Sequence, residues 1–479
     1  MNWFIFFFLI LNFSHAKKYG DEIDYELVER LLNETLNEKI DPCDNFFEFA
    51  CGKWVEKQDL NLFESKHILY DSYNKFLHLF EDKYIPGKII FKSNSLESVK
   101  YAHKKCITSL IKKDKFLSKD IKKVKKICNK KIFFVSQKLF AAIIFNEVIG
   151  LQKIKEIKKT AQEMFSNLKE TLIKMIEKKR WLDEGTKQRI IYKINTKHFE
   201  LKIPNELLDM ENVERIYKYL YFDKKDSFVK IIEVMNDFRN LLNAHTKFEF
   251  QYPGDINPIK PNPYYAFIIN HIGIMITVMV EPMFDIKFPT SMKYGSLGTI
   301  LAHEIIHGYS GKGLDFLERD IVGELLSNYS RRGYEIRKQC IVDQYEGKGM
   351  SYSAFKAKGE QTHDENIPDN SGLKLAYKAY KNLVNKYGYE EEIKMNKYKK
   401  YTNDQLFWIA AGRVKCDKYI DERIKEMFER EKHLPGEYRV SIPFGNQKEF
   451  ATDFNCKVGS KMNPKDKCDI WKYKKSLKT

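Results

Sequence analysis

Two histidines of this sequence have the spacing of metal ligands on a helix. His303 and His307 lie four residues apart, and Glu304 directly follows the first. Residues four apart share one face of a helix, so both imidazoles can bind one ion while the carboxylate reaches water beside it. Zinc lowers the pKa of such a water to about 7, and a neighbouring carboxylate can take its proton as the water attacks a peptide carbonyl. The pattern predicts a zinc-dependent peptidase, with a surface helix that carries two histidines as the alternative.

A catalytic zinc needs a third protein ligand, which the sequence offers further downstream. The extended motif with a third histidine is excluded because Gly313 occupies that position. Glu365 is a candidate on a separate helix, and Asp369, one turn further on, could fix the tautomer of a ligand histidine. His363 and Asp364 stand close by and could coordinate the metal instead.

The spacing of apolar residues predicts the elements that position these side chains. Helical intervals of three and four residues dominate residues 21–218. Between 248 and 284, a proline-bearing loop precedes an apolar, β-branched run that predicts a strand or hairpin over 272–278. Further helices are expected around 303–307, where Gly308 provides the stop, and near 318–340, 369–386 and 403–430. We therefore expect a helix-rich α+β fold.

The first residues predict export from the cell. Residues 1–16 have the pattern of a signal peptide, apolar from Trp3 to Leu11 and then small and polar up to Ala16. The apolar run is far shorter than the roughly 20 residues of a membrane-spanning helix, and no later segment is expected to be long and apolar enough. Eight cysteines, an even number, predict disulfides in an oxidising compartment. We expect a secreted, extracellular protein without a stable membrane anchor.

The chain carries a net charge of +17, and its densest basic stretch runs from Lys104 to Lys131. Lysines are scattered along most of the chain, and we find none of the usual nucleic-acid-binding motifs, so we expect a solvated basic surface and no nucleic-acid partner. Anionic glycans remain open as partners, and the oligomeric state is not indicated. The roughly 460 residues after the signal peptide exceed one compact core, so two lobes are expected.

A series of ordered motifs along almost the whole chain resembles the neprilysin-like (M13) zinc metallopeptidases, the family of neprilysin and the endothelin-converting enzymes. In chain order the motifs are DPCDNFF at 41–47, ACGKW at 50–54, NPYY at 262–265, YGSLG at 294–298, ENIPDN at 365–370, QLF at 405–407, HLPGEYR at 433–439 and MNP at 462–464. Their number and order make the resemblance far more specific than the five-residue zinc motif.

The resemblance implies a thermolysin-like zincin (gluzincin) catalytic domain over residues 246–479, with one zinc ion per chain, and a helical capping lobe over 17–245. The lobe is expected to be reduced, because only 21 residues separate Cys106 from Cys128, where the family has a large helical insert. The implied substrates are extracellular peptides, cleaved on the amino side of hydrophobic residues. The candidate walls of the pocket for those residues are Val278, Met283 and Ile300.

The same resemblance assigns roles to individual residues and pairs the cysteines. The implied metal ligands are His303, His307 and Glu365; the catalytic residues are Glu304 as general base, Asp369 as the partner of His303 and His433 as oxyanion donor; the residues that bind the substrate backbone are Asn262 and Arg439. The implied disulfides are Cys43–Cys456, Cys51–Cys416, Cys106–Cys128 and Cys340–Cys468.

Three departures from the family pattern bear on activity. Pro263 cannot donate a backbone N–H to a substrate, and Pro368 is compatible with a helix only near its start. Ser310 and Gly311 stand where the family has acidic residues, which removes a carboxylate near His307. The alternative function is therefore a catalytically weak or inactive homologue that binds peptides or glycans.

Overall fold

The computed structural model describes residues 23–60, 65–113, 119–223, 225–249, 257–350, 353–389 and 395–471. The signal peptide predicted at 1–16 lies outside the described residues. Helices dominate, as the apolar spacing predicts. Their bounds are α1 Tyr25–Thr35, α2 Phe46–Lys57, α3 Asp71–Leu79, α4 Asn94–Lys113, α5 Ile121–Ile143, α6 Leu151–Glu177, α7 Glu184–Asn195, α8 Met210–Tyr217, α9 Phe228–Glu249, α10 Thr290–Lys293, α11 Thr299–His307, α12 Asn328–Tyr345, α13 Gly359–Tyr387, α14 Asn403–Arg413, α15 Asp421–Arg430, α16 Gly436–Gly445 and α17 Lys448–Asp453.

Short strands complete a helix-rich α+β fold, as predicted. They are β1 Ser65–His67, β2 His198–Lys202, β3 Tyr264–Ala266, β4 His271–Met275, β5 Phe316–Glu318, β6 Ile321–Val322, β7 Gly349–Met350, β8 Ser353–Lys356 and β9 Asp417–Tyr419. In the three-stranded sheet, β4 lies between the parallel strand β2 and the antiparallel edge strand β3. The remaining pairs are antiparallel: β1 with β9, β5 with β6 and β7 with β8. The strand predicted over 272–278 is β4 followed by a 3-10 turn.

Two of the predicted helices are interrupted by strands. The helix expected near 318–340 begins only at Asn328, after the β5–β6 hairpin, because the side chain of Ser327 caps it by accepting a hydrogen bond from the N–H of Ser330. The helix expected over 403–430 is two helices, α14 and α15, separated by β9. Strand β9 pairs with β1 near the other end of the chain, so no local pattern could indicate it.

Helix α13 runs through a proline, which contradicts the prediction. A helix starting near Pro368 was expected, but α13 begins at Gly359, and Pro368 lies in its third turn. Because proline has no N–H, the carbonyl of Asp364 loses its helical donor, at a cost of about 3 kcal/mol. Pro368 and its neighbour Ile367 are buried, and α13 packs against α11, α12 and α16, so tertiary packing keeps the helix continuous.

The N-terminal segment is part of the C-terminal core. The ring of Phe46 lies against three rings near the end of the chain, with centroids 4.8–5.3 Å away: Phe444, Phe450 and Phe454. Two disulfides, Cys43–Cys456 and Cys51–Cys416, tie the same segment to the C-terminal part. Together with Cys106–Cys128 and Cys340–Cys468, they confirm the predicted pairing.

Among the described residues, one helical run, Ile121–Ile149, is long and apolar enough to cross a membrane. The expectation that no later segment has this length and composition is therefore wrong. The side chains from Leu139 to Phe145 are completely buried inside the protein. The first turns of this helical run carry lysines, where a membrane-spanning helix would have apolar side chains facing the lipid. This is the burial pattern of a core helix.

Removing the Cys106–Cys128 disulfide should lower stability less than removing Cys340–Cys468. The sequence separations are 22 and 128 residues, and the chain-entropy model gives about 3 and about 5 kcal/mol for loops of these lengths. Replacing each pair with alanine and following urea unfolding by circular dichroism measures the order. Equal midpoints, or the reverse order, would contradict this account.

Candidate metal centre

Helix α11 carries the histidine pair and Glu304. It continues directly from α10 and a π-helical turn over Tyr294–Gly298, and it ends where the N–H of Gly308 bonds to the carbonyl of Ile305. His303 and Glu304 are each only 6% exposed, and both line a cleft. The histidines therefore lie on a core helix and not on a surface helix.

Helix α13 crosses α11 at close range. A Cβ atom on Gly372 would lie 2.8 Å from the backbone nitrogen of His303, so any side chain there would push the two helices apart. Asp369 and Glu365 precede this glycine by about one and two turns, on the same face of α13. Gly372 therefore sets the distance at which both carboxylates reach the histidines.

The side chains of His303, His307 and Glu365 converge on one point. The two Nε2 atoms are 3.1 Å apart, and Glu365 Oε2 lies 3.2 Å from that of His303 and 3.5 Å from that of His307. A tetrahedral zinc ion with ligands at roughly 2.0–2.1 Å holds its ligand atoms about 3.3–3.4 Å apart. Two imidazole nitrogens and one carboxylate oxygen at these separations fit one zinc ion.

The electrostatics of this cluster favour a cation. Burial opposes charge on His303, but its contacts with Asp369 and Glu365 raise its pKa to about 9. Burial also opposes charge on Glu365, yet the pKa of this carboxyl is lowered by hydrogen bonds with the imidazoles of His303, His307 and His433. The buried carboxylates therefore attract positive charge, whether a proton or a metal ion.

His433 provides the cluster with another candidate ligand. Its Nε2 atom lies 3.0 Å from Glu365 Oε2, and ligand atoms of His303, Glu365 and His433 all lie within 4.8 Å of one another. The side chain of His433 is 52% exposed, against 14% for His307, and it follows α15 on a loop. Two ligands on one helix require no ordering of a loop, so the geometry favours His307 as the metal ligand and leaves His433 in the cleft.

The two alternative ligands, Asp364 and His363, have other partners. Asp364 lies 2.5 Å from the ammonium of Lys432, and the nearest acidic partners of His363 are Asp364 at 3.6 Å and Glu360 at 3.8 Å. Gly311 adopts a left-handed conformation with φ +49°, and a Cβ atom there would lie 2.2 Å from Asp364 Oδ1. Asp364 therefore fills the space that a side chain at 311 would need.

Asp369 is a buried carboxylate with three cationic partners. Its Oδ1 lies 3.0 Å from His303 Nδ1 and 3.1 Å from Lys415 Nζ, and both oxygens accept hydrogen bonds from Arg439, at 2.6 and 2.8 Å. Burial raises the pKa of Asp369, but Arg439 and Lys415 lower it well below its usual range, so the group is ionised. Lys415 was missed by the sequence analysis, because no motif contains it.

The residues predicted to bind substrate meet at one cleft. Its volume is about 330 Å³, and Asn262, His433 and Arg439 line it together with His303 and Glu304. Asn262 lies two residues before the edge strand β3. The structure therefore brings the predicted substrate-binding residues to the metal cluster, although the guanidinium of Arg439 is bonded to a carboxylate there.

The walls of the cleft differ from those expected. Ile300 lines it, whereas Val278 and Met283 are buried in the core and are not among its lining residues. Val414 adds a further apolar wall, and Lys415 lies beside it. Only one of the three expected pocket residues thus faces the cleft.

Comparison with known sequences relates this region to a peptidase family. Residues 262–470 match the model of peptidase family M13. Neprilysin-1 of Caenorhabditis elegans is 31% identical over 323 residues, 66% of this chain and 42% of that protein. Endothelin-converting enzyme 1 of Homo sapiens is 28% identical over 329 residues, 67% of this chain and 40% of that protein. The chain spans about two fifths of the length of these curated relatives.

Solved structures share the fold at low identity. A chain of the Haemonchus galactose containing glycoprotein complex has a TM-score of 0.66 and 18% identity, over 93% of this chain and 99% of that chain. The zinc metalloprotease ZMP1 of Mycobacterium tuberculosis has a TM-score of 0.58 and 17% identity, over 73% of this chain and 51% of that chain. The comparisons confirm the resemblance to the neprilysin-like M13 peptidases and the zincin fold that it implies.

Replacing Asp369 with asparagine should destabilise the fold and weaken zinc binding. The amide has the same shape but no charge, so it leaves Lys415 and Arg439 buried without their counterion, which costs about 3–5 kcal/mol when one partner of a buried pair is removed. It also loses the group that orients His303, an effect of about 10–100-fold on metal affinity. Urea unfolding and competition with a zinc chelator measure both changes.

The matched control is Lys415→Met, which removes one cation and keeps the pair of Asp369 and Arg439. Its urea midpoint should stay near that of the unmodified protein. If both substitutions lowered the urea midpoint equally, the loss of the Asp369 charge would not explain the destabilisation by Asp369→Asn.

Proposed function

The chain is similar to peptidase family M13 over residues 262–470, and from this premise we propose that it is a secreted zinc-dependent endopeptidase. Its substrates are extracellular peptides, cleaved on the amino side of hydrophobic residues. The observation that carries the proposal is the convergence of His303, His307 and Glu365 beside a cleft that Glu304 lines. The four disulfides fit an oxidising, extracellular compartment. A lobe over 17–245 and a catalytic domain over 246–479 belong to the same proposal.

His303, His307 and Glu365 would hold one zinc ion per chain. A zinc ion bound there supplies Lewis-acid polarisation of the scissile carbonyl and lowers the pKa of the attacking water. Glu304 is next to His303 on α11, so its carboxylate takes the proton of the attacking water and passes it to the leaving amine. Because Glu304 is 6% exposed, this transfer is shielded from bulk solvent.

Three further residues bind and orient the peptide. The half-exposed imidazole of His433 donates a hydrogen bond to the oxygen of the scissile carbonyl as negative charge develops there. Arg439 uses Nε and Nη2 on Asp369, which leaves Nη1 for a substrate carbonyl. Asn262, beside the edge strand β3, aligns the extended backbone of the substrate. It uses its side-chain amide for this, because the next residue, Pro263, has no N–H to donate.

The reduced lobe leaves the cleft accessible to longer chains. Within the described part of the protein, none of the residues that line the cleft belongs to α4 or α5, the helices joined by Cys106–Cys128. These two helices therefore contribute no wall to the cleft. We infer that the cleft is a trough that admits longer, partly unfolded polypeptides.

A second candidate function is peptide binding with weak or no hydrolysis. Pro263 removes a backbone donor beside the cleft, and Arg439, which is expected to bind the substrate backbone, is already bonded to Asp369. A chain of similar extent belongs to a glycoprotein complex in Haemonchus, so assembly into a complex is a role that such a homologue could have. The intact Glu304 argues against this function, because a binding protein has no chemical need for a general base.

Glu304→Gln should abolish hydrolysis and leave zinc bound. The amide cannot accept a proton, yet it adds neither charge nor bulk beside the ligands. Glu365→Ala should lose the zinc, because it removes a ligand. Zinc content by elemental analysis and cleavage of a short quenched peptide, with and without chelator, measure both. If Glu304→Gln kept about a tenth of the activity, the assignment of the base would fail.

A series of peptides of increasing length that share one cleavable bond should be cut at similar rates. In a trough the chain on either side of the bond extends into solvent, so kcat/KM should stay within about threefold along the series. Measurement of kcat/KM for each member by mass spectrometry tests this. A sharp fall for the longer peptides would mean that the site is enclosed.

A further inference from the structure

Helices α4 and α5 form a basic hairpin, and the stretch of sequence that contains them, residues 94–143, carries most of the net charge of the protein. These 50 residues contain 14 lysines and three acidic residues, a net charge of +11, whereas all 479 residues together have +17. The other 429 residues therefore have a net charge of +6. The net positive charge is therefore concentrated in one stretch of the sequence.

The lysines of α5 lie on its outward faces. A stripe of buried side chains at intervals of three and four residues faces the protein, each 0–3% exposed: Val124, Cys128, Ile132 and Val135. The remaining faces of the first three turns present exposed ammonium groups: Lys122, Lys123, Lys125, Lys126, Lys130 and Lys131. These six charges occupy about 14 Å of helix axis.

The basic hairpin is fixed to the rest of the protein. The Cys106–Cys128 disulfide joins its two helices, and both cysteines are buried. The hydroxyl of Tyr217 in α8 donates a hydrogen bond of 2.8 Å to the carbonyl of Val135 and accepts one from the N–H of Leu139. The backbone positions from which the lysines extend are therefore set by the fold.

We propose that the basic hairpin is a binding surface for a linear sulfated glycan. Lysine ammonium groups are compact point charges, and a convex row of them matches a flexible chain of sulfates without requiring a pocket. On α5, like charges lie four residues apart in the pairs Lys122–Lys126 and Lys126–Lys130, and they repel each other. Bound sulfate groups reduce this repulsion. The surface is separate from the cleft, so the protein can be retained on a matrix while its candidate site stays accessible.

Other polyanions fit this surface less well. The four disulfides require an oxidising compartment, which disfavours nucleic acid as the partner. A helix that docks in the interface of an anionic membrane presents a continuous apolar face beside its basic residues. Two large apolar side chains of α5 are exposed, Ile121 at 54% and Phe134 at 48%, and the guanidinium of Arg239 lies 5.2 Å from the centre of the Phe134 ring. Exposed lysines outnumber these two apolar side chains three to one in α5, so the outer surface is mainly charged.

The test measures binding of the intact protein to a short fluorescent heparin oligosaccharide over a range of salt concentrations. The hairpin variant replaces Lys122, Lys125, Lys126 and Lys130 with glutamine. The matched control replaces four exposed lysines of α6 with glutamine, which removes the same charge from a helix where acidic residues are interspersed: Lys155, Lys158, Lys159 and Lys174.

The hairpin variant should lose at least about tenfold in affinity at about 0.15 M ionic strength and depend less steeply on salt, while the control stays within about twofold. Both variants should keep the urea midpoint of the unmodified protein. Equal losses in the two variants would assign binding to net charge and overturn the proposal. Equal binding to unsulfated hyaluronan, or tighter binding to phosphatidylserine vesicles or single-stranded DNA, would also overturn it. Binding is read without hydrolysis, so failure of the proposed peptidase activity leaves this test intact.

Discussion

The candidate site depends on the buried charge of Asp369. This carboxylate on α13 contacts His303 on α11, Lys415 after the end of α14, and Arg439 on α16. A buried charge is stable only when it is paired, so these four parts of the chain have to meet in one arrangement. The orientation of His303, and with it the position of any bound metal, is therefore set by long-range packing and not by the helix that carries the histidines.

The cleft is built jointly by the two ends of the chain. From the N-terminal part, the cleft is lined by His67, Leu69 and Tyr70. His67 is the last residue of β1, and the other two follow it. Strand β1 pairs with β9, which begins directly after Cys416. The buried hydrophobic side chains form one core that continues across residue 245. The part of the chain that carries the zinc motif therefore does not complete its own cleft, and the N-terminal segment supplies one of the walls.

Features that depend on residue type and spacing could be predicted, and features that depend on distant contacts could not. The histidine pair follows from helical spacing, and the choice of Glu365 and the cysteine pairing follow from the resemblance. Lys415 reaches Asp369 only because α14 ends beside α13, and Gly372 matters only because two helices cross there. Pro368 was misjudged because intrinsic helix propensity is a weak preference that buried packing overrides. The strands that interrupt two predicted helices were missed because their hydrogen bonds lie outside the local sequence.

The disulfide between Cys43 and Cys456 makes maturation depend on the order of synthesis. At about 5–20 residues per second, the second cysteine is made about 20–80 s after the first, since 413 positions separate them. Until Cys416 has been made, Cys43 and Cys51, eight positions apart, are both without their native partners. A disulfide formed early between them has to be exchanged later through a mixed disulfide. The yield of correctly paired protein should therefore be limited by how fast early disulfides are exchanged rather than by how fast the helices form.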